Sequence, residues 1–389
     1  MIASILDTDL YKFTTSYAYM KLYPEAEGIF AFIDRDNVEY SKEFVTQLTA
    51  ELHRLSKISL TADEFAYLTH NKTLTRFMPL CYWEWLAQFR FEPDRVNVRL
   101  DDSHHLHVEI TDKLYKSTLY EVPILATISE LRAKQTGYVA DMDTMVMRLH
   151  RKIKQSNVDA LKFSEFGTRR RFSYDVHRKV CEELSGHAKY CVGTSNVHLA
   201  MQYDMMPAGT FPHEWVMFHG AVFGYQMANY LSLEDWSRVY DGDLGIALID
   251  TYTTRAFLSN FSRKHAKLFD GVRQDSGDEY QIGDMVIKRY QELGIDPRTK
   301  TIVFSNATDF DKYAKIAAYF RDRINVSAGI GTNLTNDVGF VPPNVVMKLT
   351  NCRISQRECW KPCLKISDDV GKHLGCEQEF KVAAYVLGL

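Results

Sequence analysis

The chain has 389 residues, 46% of them hydrophobic, which is enough for one large domain and a smaller second one. Its 47 basic and 50 acidic residues leave a formal net charge of -3, so global charge predicts neither a nucleic-acid partner nor binding to a membrane surface. The chain does not start with a basic segment and a long apolar stretch, and no apolar run approaches the roughly eighteen residues of a membrane-spanning helix. These features predict a globular protein of the cytoplasm.

The first 150 residues predict a small α+β domain. Polar residues 7–11 lead into a helix-compatible stretch that reaches Tyr23, and residues 28–33 are typical of a strand. Residues 95–110 alternate like a hairpin around a turn at 101–103. The apolar residues expected to face each other are Val96, Val98 and Leu100 on one strand and Leu106, Val108 and Ile110 on the other. Three histidines follow the turn, namely His104, His105 and His107. We interpret them as part of a solvated hairpin tip and not as a metal site.

From about residue 155 the pattern becomes an alternation of strand and helix. Short apolar runs end in polar residues and are followed by amphipathic stretches. The runs cover residues 160–163, 246–249, 301–304 and 326–330, with further apolar stretches at 197–201 and 207–211. The clearest helical faces are Ile282, Val286, Tyr290 and Leu293 before Gly294, and Phe310, Tyr313, Ala317 and Phe320.

Parallel strands that alternate with helices form an α/β barrel or an open doubly wound sheet. We predict an irregular, TIM-like α/β barrel as the catalytic domain at residues 151–345, after an N-terminal α+β domain at residues 1–150. A C-terminal segment at residues 346–389 is expected to pack back on the N-terminal domain. In both architectures the active site lies beyond the carboxyl ends of the strands, and the polar clusters of this chain follow its predicted strands.

The seven cysteines are scattered along the chain, and such an odd, dispersed set predicts reduced thiols. Four of them lie near the end of the chain without the paired spacing of a structural zinc site, so we predict ordinary cysteines there. The four are Cys352, Cys359, Cys363 and Cys376.

The stretch at residues 209–215, Gly-Thr-Phe-Pro-His-Glu-Trp, places His213 where an apolar run stops and a helix is predicted to begin. Pro212 fits the first turn of that helix, where its missing amide hydrogen costs nothing. Free amides and the dipole at a helix start attract anions such as phosphate, and histidine changes its charge near neutral pH. The stretch fits phosphate chemistry at His213, and it equally fits a structural histidine bonded to a backbone carbonyl.

Three more polar clusters follow predicted strands. Arg169 is the first of three consecutive arginines and could hold a carboxylate or phosphate, although a solvated basic helix start is the alternative. Residues 273–278, Arg-Gln-Asp-Ser-Gly-Asp, suit a sugar diol, a phosphate, and Mg²⁺ held through that phosphate. Residues 329–333, Gly-Ile-Gly-Thr-Asn, leave backbone amides that can approach a phosphate closely. The implied ligand is a phosphorylated sugar with an aromatic or anionic partner.

These clusters resemble the nicotinate phosphoribosyltransferase family, and the resemblance runs nearly end to end. Seven ordered motifs carry it, at residues 7–12, 165–170, 193–196, 213–215, 273–278, 304–306 and 329–333. The resemblance implies an enzyme that joins nicotinic acid to 5-phosphoribosyl 1-diphosphate, giving nicotinate mononucleotide and pyrophosphate in NAD biosynthesis. It also implies that ATP is a co-substrate, coupled in ligase fashion through a phosphohistidine.

The resemblance assigns a nicotinate site. Tyr11 and Phe166 would sandwich the pyridine ring, and Arg169 would help hold the carboxylate with Ser195 nearby. Nicotinamide-using relatives carry an aspartate at the position of Ser195, which would repel a carboxylate, so serine favours nicotinate. In family members that work as dimers, the partner subunit supplies the tyrosine at the position of Tyr11. The resemblance therefore implies a homodimer with a shared active site.

The resemblance also assigns a phosphoribosyl site and a modified residue. Asp275 would bind the ribose hydroxyls, Arg273 would line the catalytic pocket, and His213 would be phosphorylated by ATP. The 5-phosphate would be enclosed by Gly329, Gly331 and Thr332, with Asn306, Arg35 and Lys348 as weaker candidates. The pyridine nitrogen would displace pyrophosphate from the anomeric carbon, with Mg²⁺ on the pyrophosphate reducing the cost of the leaving charge. Phosphohistidine would change substrate affinity and would not attack the sugar.

Alternative functions are less consistent with the same residues. Ser195 disfavours a nicotinamide-specific transferase, and the chain length and the histidine motif disfavour a quinolinate-type transferase. A catalytically silent barrel that binds a nucleotide needs no phosphorylatable histidine. The joint presence of Asp275, Arg273 and His213 therefore argues against such a binding module.

Overall fold

The computed structural model describes residues 1–209 and 211–389, so Thr210 of the histidine motif lies outside the described residues. The contacts divide the chain into two compact units that alternate along the sequence. The first unit comprises Met1–Tyr17, Ile29–Gly209 and Ile330–Lys348, and the second comprises Ala18–Gly28, Thr210–Gly329 and Leu349–Leu389. The predicted domain boundaries at residues 150 and 345 stay a prediction.

The helices are α1 Leu10–Leu22, α2 Lys42–Leu55, α3 Ala62–His70, α4 Leu74–Phe77, α5 Leu80–Gln88, α6 Leu114–Ser117, α7 Glu121–Gln135, α8 Met142–Asp159, α9 Tyr174–His187, α10 Val197–Gln202, α11 His213–Phe223, α12 Tyr225–Tyr240, α13 Thr254–Asn260, α14 Arg263–Leu268, α15 Glu279–Glu292, α16 Phe310–Phe320, α17 Thr332–Thr335 and α18 Glu377–Leu387. The strands are β1 Glu27–Asp34, β2 Val96–Leu100, β3 Leu106–Lys113, β4 Phe163–Glu165, β5 Cys191–Thr194, β6 Ile246–Leu248, β7 Gly271–Gln274, β8 Thr301–Phe304, β9 Asn325–Ile330, β10 Val345–Arg353 and β11 Lys361–Pro362. No helix among the described residues is long and apolar enough to cross a membrane.

The first unit contains the predicted hairpin. β2 and β3 pair antiparallel, with Val96 opposite Ile110, Val98 opposite Val108 and Leu100 opposite Leu106. This register confirms the predicted one, because alternation of apolar residues fixes which face of each strand is buried. The predicted helix start and the following strand are also present, as α1 and β1.

One expectation for the first unit needs correction. The apolar run at residues 160–163 is not a strand, because α8 continues to Asp159 and Ala160 ends it in a left-handed conformation with a φ of 53°. The strand β4 therefore starts only at Phe163 and pairs with β5 in parallel. Residues 197–201 form helix α10, which starts where the Asn196 side chain accepts a hydrogen bond from the backbone N of Leu199. A short apolar run alone does not distinguish a strand from a buried helix.

The second unit holds four consecutive parallel strands. β6 pairs with β7, β7 with β8 and β8 with β9, so that Leu248, Arg273, Val303 and Ser327 lie at one level. The helices α15 and α16 bury Val286, Tyr290 and Phe320, as their 3.6-residue periodicity predicts. Each strand ends at the same edge as its neighbours, which places the loops at 249–253, 275–278 and 305–309 side by side. The predicted α/β class with a parallel sheet is confirmed.

Candidate active site

A buried ion pair joins the start of the chain to the loop after β4. The Arg171 guanidinium donates to both carboxylate oxygens of Asp7, at 2.6 and 2.8 Å. Both side chains are fully buried, and Asn196 donates to Asp7 at 2.8 Å. Burial acts to raise the pKa of Asp7, but the Arg171 charge and these hydrogen bonds hold that pKa well below its usual range. The third arginine of the run is therefore structural and holds the loop that carries Phe166 and Arg169.

Glu165 organises the backbone of the same loop. Its carboxylate accepts from the backbone N of Gly167, from Thr194 Oγ1 at 2.5 Å and from His177 Nε2 at 2.9 Å. A side chain at Gly167 would collide with Thr335 and with Glu165 itself. Burial acts to raise the pKa of Glu165, but the His177 contact lowers it, so the carboxylate is ionised. The loop is thus held in one conformation by buried hydrogen bonds.

The two aromatic residues predicted to contact pyridine both belong to the first unit. Tyr11 lies in α1 with 9% of its surface exposed, and burial raises its pKa, so the phenol is neutral. Phe166 is half-buried, and its backbone N donates to Ile330 O at 2.8 Å. Gly209 allows a close approach to α1, since a Cβ there would lie 3.0 Å from Tyr11 N. The Arg169 guanidinium carbon lies 5.9 Å from the centre of the Tyr11 ring, so a cation and an aromatic face are together here.

Arg169 already faces two carboxylates. Its Nε lies 3.7 Å from Asp9 Oδ2, and its Nη1 lies 3.6 Å from Glu121 Oε1. Ser195 is buried and donates to Asp9 Oδ1 at 2.7 Å, while Lys12 Nζ lies 2.5 Å from Glu121 Oε2. Burial raises the pKa of Asp9 although Arg169 acts to lower it. An Asp9 carboxyl that is more easily protonated competes less for Arg169, which favours exchange of that contact for a ligand carboxylate.

The remaining phosphate candidates of the first unit lie on separate elements. Gly331 precedes α17, and a Cβ there would lie 3.3 Å from Phe166 O. Lys348 in β10 acts with Lys12 to lower the pKa of Glu121, which burial acts to raise. The Arg35 backbone N donates to Asn344 O at 3.0 Å. The structure thus brings Gly331 and Thr332 to the Phe166 loop and Lys348 to the carboxylate that also faces Arg169.

His213 is the first residue of α11, as predicted, and Pro212 lies just before the helix as its N-cap and not inside its first turn. The ring is buried, with 5% of the residue exposed. Its Nδ1 lies 2.9 Å from Thr251 Oγ1. Its Nε2 lies 2.9 Å from Lys365 Nζ and 3.2 Å from Asp275 Oδ2. The histidine is therefore bonded to side chains on both nitrogens and not to a backbone carbonyl.

These contacts fit two hydrogen-bonded forms of the His213 ring. Lys365 donates to Nε2 in the form protonated on Nδ1, which donates to Thr251, whereas Asp275 accepts from Nε2 in the form protonated on that nitrogen. Burial and then the Lys365 charge lower the pKa of His213 to about 4. The ring is neutral at physiological pH. In the form protonated on Nδ1, Nε2 carries the lone pair, and such a neutral imidazole nitrogen is a nucleophile.

Asp275 is tied to this histidine. Its Oδ1 accepts from Ser305 Oγ at 2.9 Å, and its Oδ2 faces His213 Nε2. Burial acts to raise its pKa, but the His213 contact and the Arg273 charge hold that pKa well below the usual range. The carboxylate is ionised and has 29% of its side chain exposed, so it can also contact a ligand.

Several buried polar atoms of this unit have no hydrogen bond to the protein. Among the described residues, Arg273 Nε and Asp250 Oδ1 are two of these atoms. Asp250 Oδ2 accepts from Ser276 Oγ at 2.6 Å, and Asp250 Oδ1 lies 4.0 Å from His213 Nε2. Native proteins rarely leave such groups unsatisfied, so Arg273 Nε and Asp250 Oδ1 are candidate ligand contacts. An unsatisfied guanidinium donor suits phosphate, and an unsatisfied carboxylate oxygen suits Mg²⁺.

Lysines surround the next loop of the second unit. Lys372 Nζ donates to Asn306 Oδ1 at 2.7 Å and to Asp275 O at 2.6 Å. Lys312 Nζ donates to Asn306 O at 3.1 Å. Asn306 is thus held between two cations, and Gly329 lies buried near the end of β9.

Comparison with known proteins points to one family. Models of the nicotinate phosphoribosyltransferase (NAPRTase) family and of its N-terminal domain match residues 161–386 and 6–129. The chain belongs to this family. It is 42% identical to the nicotinate phosphoribosyltransferase of Chromohalobacter salexigens over 391 residues, which cover 100% of this chain and 99% of the relative. It is 44% identical to that of Desulforapulum autotrophicum over 390 residues, with coverage of 100% and 99%.

Solved structures agree with the family assignment. The nicotinate phosphoribosyltransferase of Porphyromonas gingivalis is 45% identical and superposes with a TM-score of 0.98 over 100% of both chains. The enzyme of Vibrio cholerae is 32% identical, with a TM-score of 0.91 over 100% of this chain and 94% of that one. The resemblance carried by the seven motifs, and the nicotinate phosphoribosyltransferase function it implies, are confirmed.

Several residues of these groups were not predicted from the sequence. Lys365 and Lys372 come from the C-terminal segment, Asp9 from the residues before α1, and Glu121 from the start of α7. Asp250 and Thr251 lie in a polar stretch after a predicted strand, so that their position was a usable signal. Lys365 carries no motif, and its role is visible only in three dimensions.

Proposed function

We propose that this member of the nicotinate phosphoribosyltransferase family is driven by ATP through phosphorylation of His213 at Nε2. The observation that carries the proposal is the neutral, buried His213 ring with its Nε2 facing both Lys365 and Asp275. A merely structural histidine would be satisfied by backbone or solvent and would not need an ionised carboxylate and a lysine at the same nitrogen. The helix start at His213 adds free amides that favour a phosphoryl group.

The residues around His213 suit phosphoryl transfer. Nε2 attacks the γ-phosphorus of ATP, so a nitrogen–phosphorus bond forms as the bond to the bridging oxygen breaks and ADP leaves. Thr251 keeps the proton on Nδ1, and Lys365 stabilises charge on the transferring phosphoryl oxygens. Water later attacks the phosphorus, phosphate leaves and the neutral imidazole is restored.

The first-unit group suits nicotinate. Arg169 binds the carboxylate, and the rings of Tyr11 and Phe166 contact the pyridine ring. Ser195, which donates a hydrogen bond to Asp9, adds no negative charge of its own near the nicotinate carboxylate. The pyridine nitrogen then bonds to the anomeric carbon of phosphoribosyl diphosphate as the bond to the pyrophosphate oxygen breaks.

The second-unit group suits the phosphorylated co-substrates. Arg273 would bind phosphate through its unsatisfied Nε, and Asp275 would bind the ribose hydroxyls. Asp250 and Asp275 would hold Mg²⁺, which neutralises phosphate charge when bound. The proposal also includes binding of the 5-phosphate by Asn306, Arg35 and Lys348. It further includes a homodimer in which each subunit supplies its Tyr11 to the active site of the other.

The proposal is tested by labelling and by phosphate release. The protein is incubated with γ-labelled ATP, and acid-labile phosphate on the chain is measured in the wild type, His213→Ala and the exposed-histidine control His53→Ala. We expect label in the wild type and the control and none in His213→Ala. We also expect phosphate release from ATP to rise with nicotinate and phosphoribosyl diphosphate and not with nicotinamide. Equal labelling of His213→Ala would contradict the assignment.

A further inference from the structure

Two histidines and a glutamate converge on the surface of the first unit, outside both residue groups described above. His150 lies in α8, and Glu183 and His187 lie one turn apart in α9. Glu183 Oε2 is 2.6 Å from His150 Nε2 and 3.5 Å from His187 Nε2. All three candidate ligand atoms lie within 4.8 Å of one another. The proposed phosphoribosyl transfer uses none of these side chains.

The ligand types and spacing fit a divalent transition metal. Two imidazole nitrogens and one carboxylate oxygen are a common zinc ligand set, with metal–ligand distances of about 2.0–2.1 Å. Tetrahedral geometry at such distances places neighbouring ligand atoms roughly 3.3 Å apart. The His187–Glu183 distance of 3.5 Å already meets this requirement. The His150–Glu183 distance of 2.6 Å must open by less than about 1 Å. The His150 side chain is 48% exposed, which leaves room for this shift.

The surroundings hold the cluster in place. Lys179 Nζ binds the other Glu183 oxygen at 2.7 Å, so Oε2 is left facing the two rings. Asn157 of α8 donates to His187 O at 2.9 Å and accepts from Lys189 N at 2.9 Å, which joins the ends of the two helices. His187 is the last residue of α9, and the C-terminal end of a helix favours a cation.

We propose that His150, Glu183 and His187 form a binding site for a zinc-class divalent metal, with water completing its coordination. The metal bridges α8 and α9 through three side chains. Because it binds the folded arrangement and not the unfolded chain, it raises the stability of the protein by mass action. No step of the phosphoribosyl transfer is assigned to it.

The test is a titration of the full-length, chelator-treated protein with Co²⁺, followed by its visible absorption. Exposed thiols, which include Cys81, Cys359 and Cys376, are first alkylated so that they cannot bind metal. We expect the wild type to bind one more equivalent than the double variant His150→Ala/His187→Ala, and each single variant to bind at least tenfold more weakly. The matched control is His107→Ala, because His107 Nε2 also lies 3.0 Å from a carboxylate, that of Asp101.

A stability measurement gives a second, independent outcome. Zinc ions should raise the midpoint of thermal unfolding in the wild type and in His107→Ala, and should have no such effect in the double variant. Circular dichroism confirms that each variant is folded, which is expected because both replaced side chains are about half exposed. Equal Co²⁺ stoichiometry and affinity in the wild type and the double variant would overturn the proposal, as would loss of binding in His107→Ala alone.

Discussion

Replacement of Lys365 by methionine removes the cation beside His213 and keeps a side chain of similar length. The lysine is 5% exposed, and its Nζ lies 2.9 Å from His213 Nε2. A phosphoryl group on Nε2 would bring at least one negative charge within about 4 Å of Nζ, where one pair of unit charges is worth about 4 kcal/mol at an effective dielectric constant near 20. Loss of one preorganised donor typically slows an enzyme by roughly 10²- to 10³-fold. We expect phosphorylation of His213 to slow by about that factor.

The assay is a single-turnover measurement with labelled ATP and excess enzyme, stopped in alkali to preserve phosphohistidine. Transfer from phosphoribosyl diphosphate to nicotinate without ATP should continue in Lys365→Met. Lys361→Met is the control, because Lys361 lies in the same segment with 39% of its side chain exposed. A labelling rate within fivefold of the wild type would refute the idea that Lys365 stabilises the transferring phosphoryl group.

Four further predictions concern pH, loop order and specificity. The pKa of His213 in the folded protein is about 4, against an ordinary value of 6.5. As the pH falls, the unfolded chain is therefore protonated before the folded one, and the free energy of unfolding decreases by roughly 3 kcal/mol between about pH 6.5 and about pH 4. In denaturant unfolding His213→Gln should lose correspondingly less stability over that range, and an identical pH dependence would exclude the buried neutral ring. Glu165→Gln, which weakens the buried contact to His177, should lower the free energy of unfolding by about 3 kcal/mol and raise the Kd for nicotinate. An unchanged Kd would show that the hydrogen bonds of Glu165 do not contribute to nicotinate binding. Ser195→Asp should weaken nicotinate binding at least tenfold in calorimetry, because a second carboxylate would join Asp9, and equal affinity would exclude the residue from carboxylate recognition. Arg169→Ala should weaken nicotinate binding by about 2 kcal/mol if its charge-assisted hydrogen bond is lost, and a change under about 0.5 kcal/mol would place this arginine outside the binding group.

Patterns with a short period were predictable from the sequence. The hairpin register at Val96, Val98 and Leu100 follows from alternation, and the strand β8 follows from a short apolar run between turn residues. The start of α11 at His213 follows from the proline and the change of pattern. The strand predicted at residues 160–163 was wrong because a few apolar residues fit both a strand and a buried helix turn.

Contacts between distant residues were not predictable from spacing. Lys365 lies 152 positions from His213, and Ser195 lies 186 positions from Asp9. No periodicity connects such pairs, and one sequence alone gives no measure of which residues change together. The family resemblance includes Asp9 in a motif but assigns it no role, and the contacts of Lys365 and Asp9 are visible only in the structure. The sequence therefore predicts candidate reacting groups, whereas the charged residues beside them are visible only in the structure.

The alternation of the two units along the chain has a consequence for biosynthesis. Residues Ile330–Lys348 belong to the first unit, where Ile330 O accepts a hydrogen bond from the backbone N of Phe166. A growing chain thus cannot complete the loop that carries Phe166 and Arg169 until nearly all of the sequence has left the ribosome. Closing such long-range contacts is slow, and the unpaired strand edges remain exposed meanwhile. Expression of the first 209 residues alone should give an aggregation-prone fragment and not an independent nicotinate-binding domain.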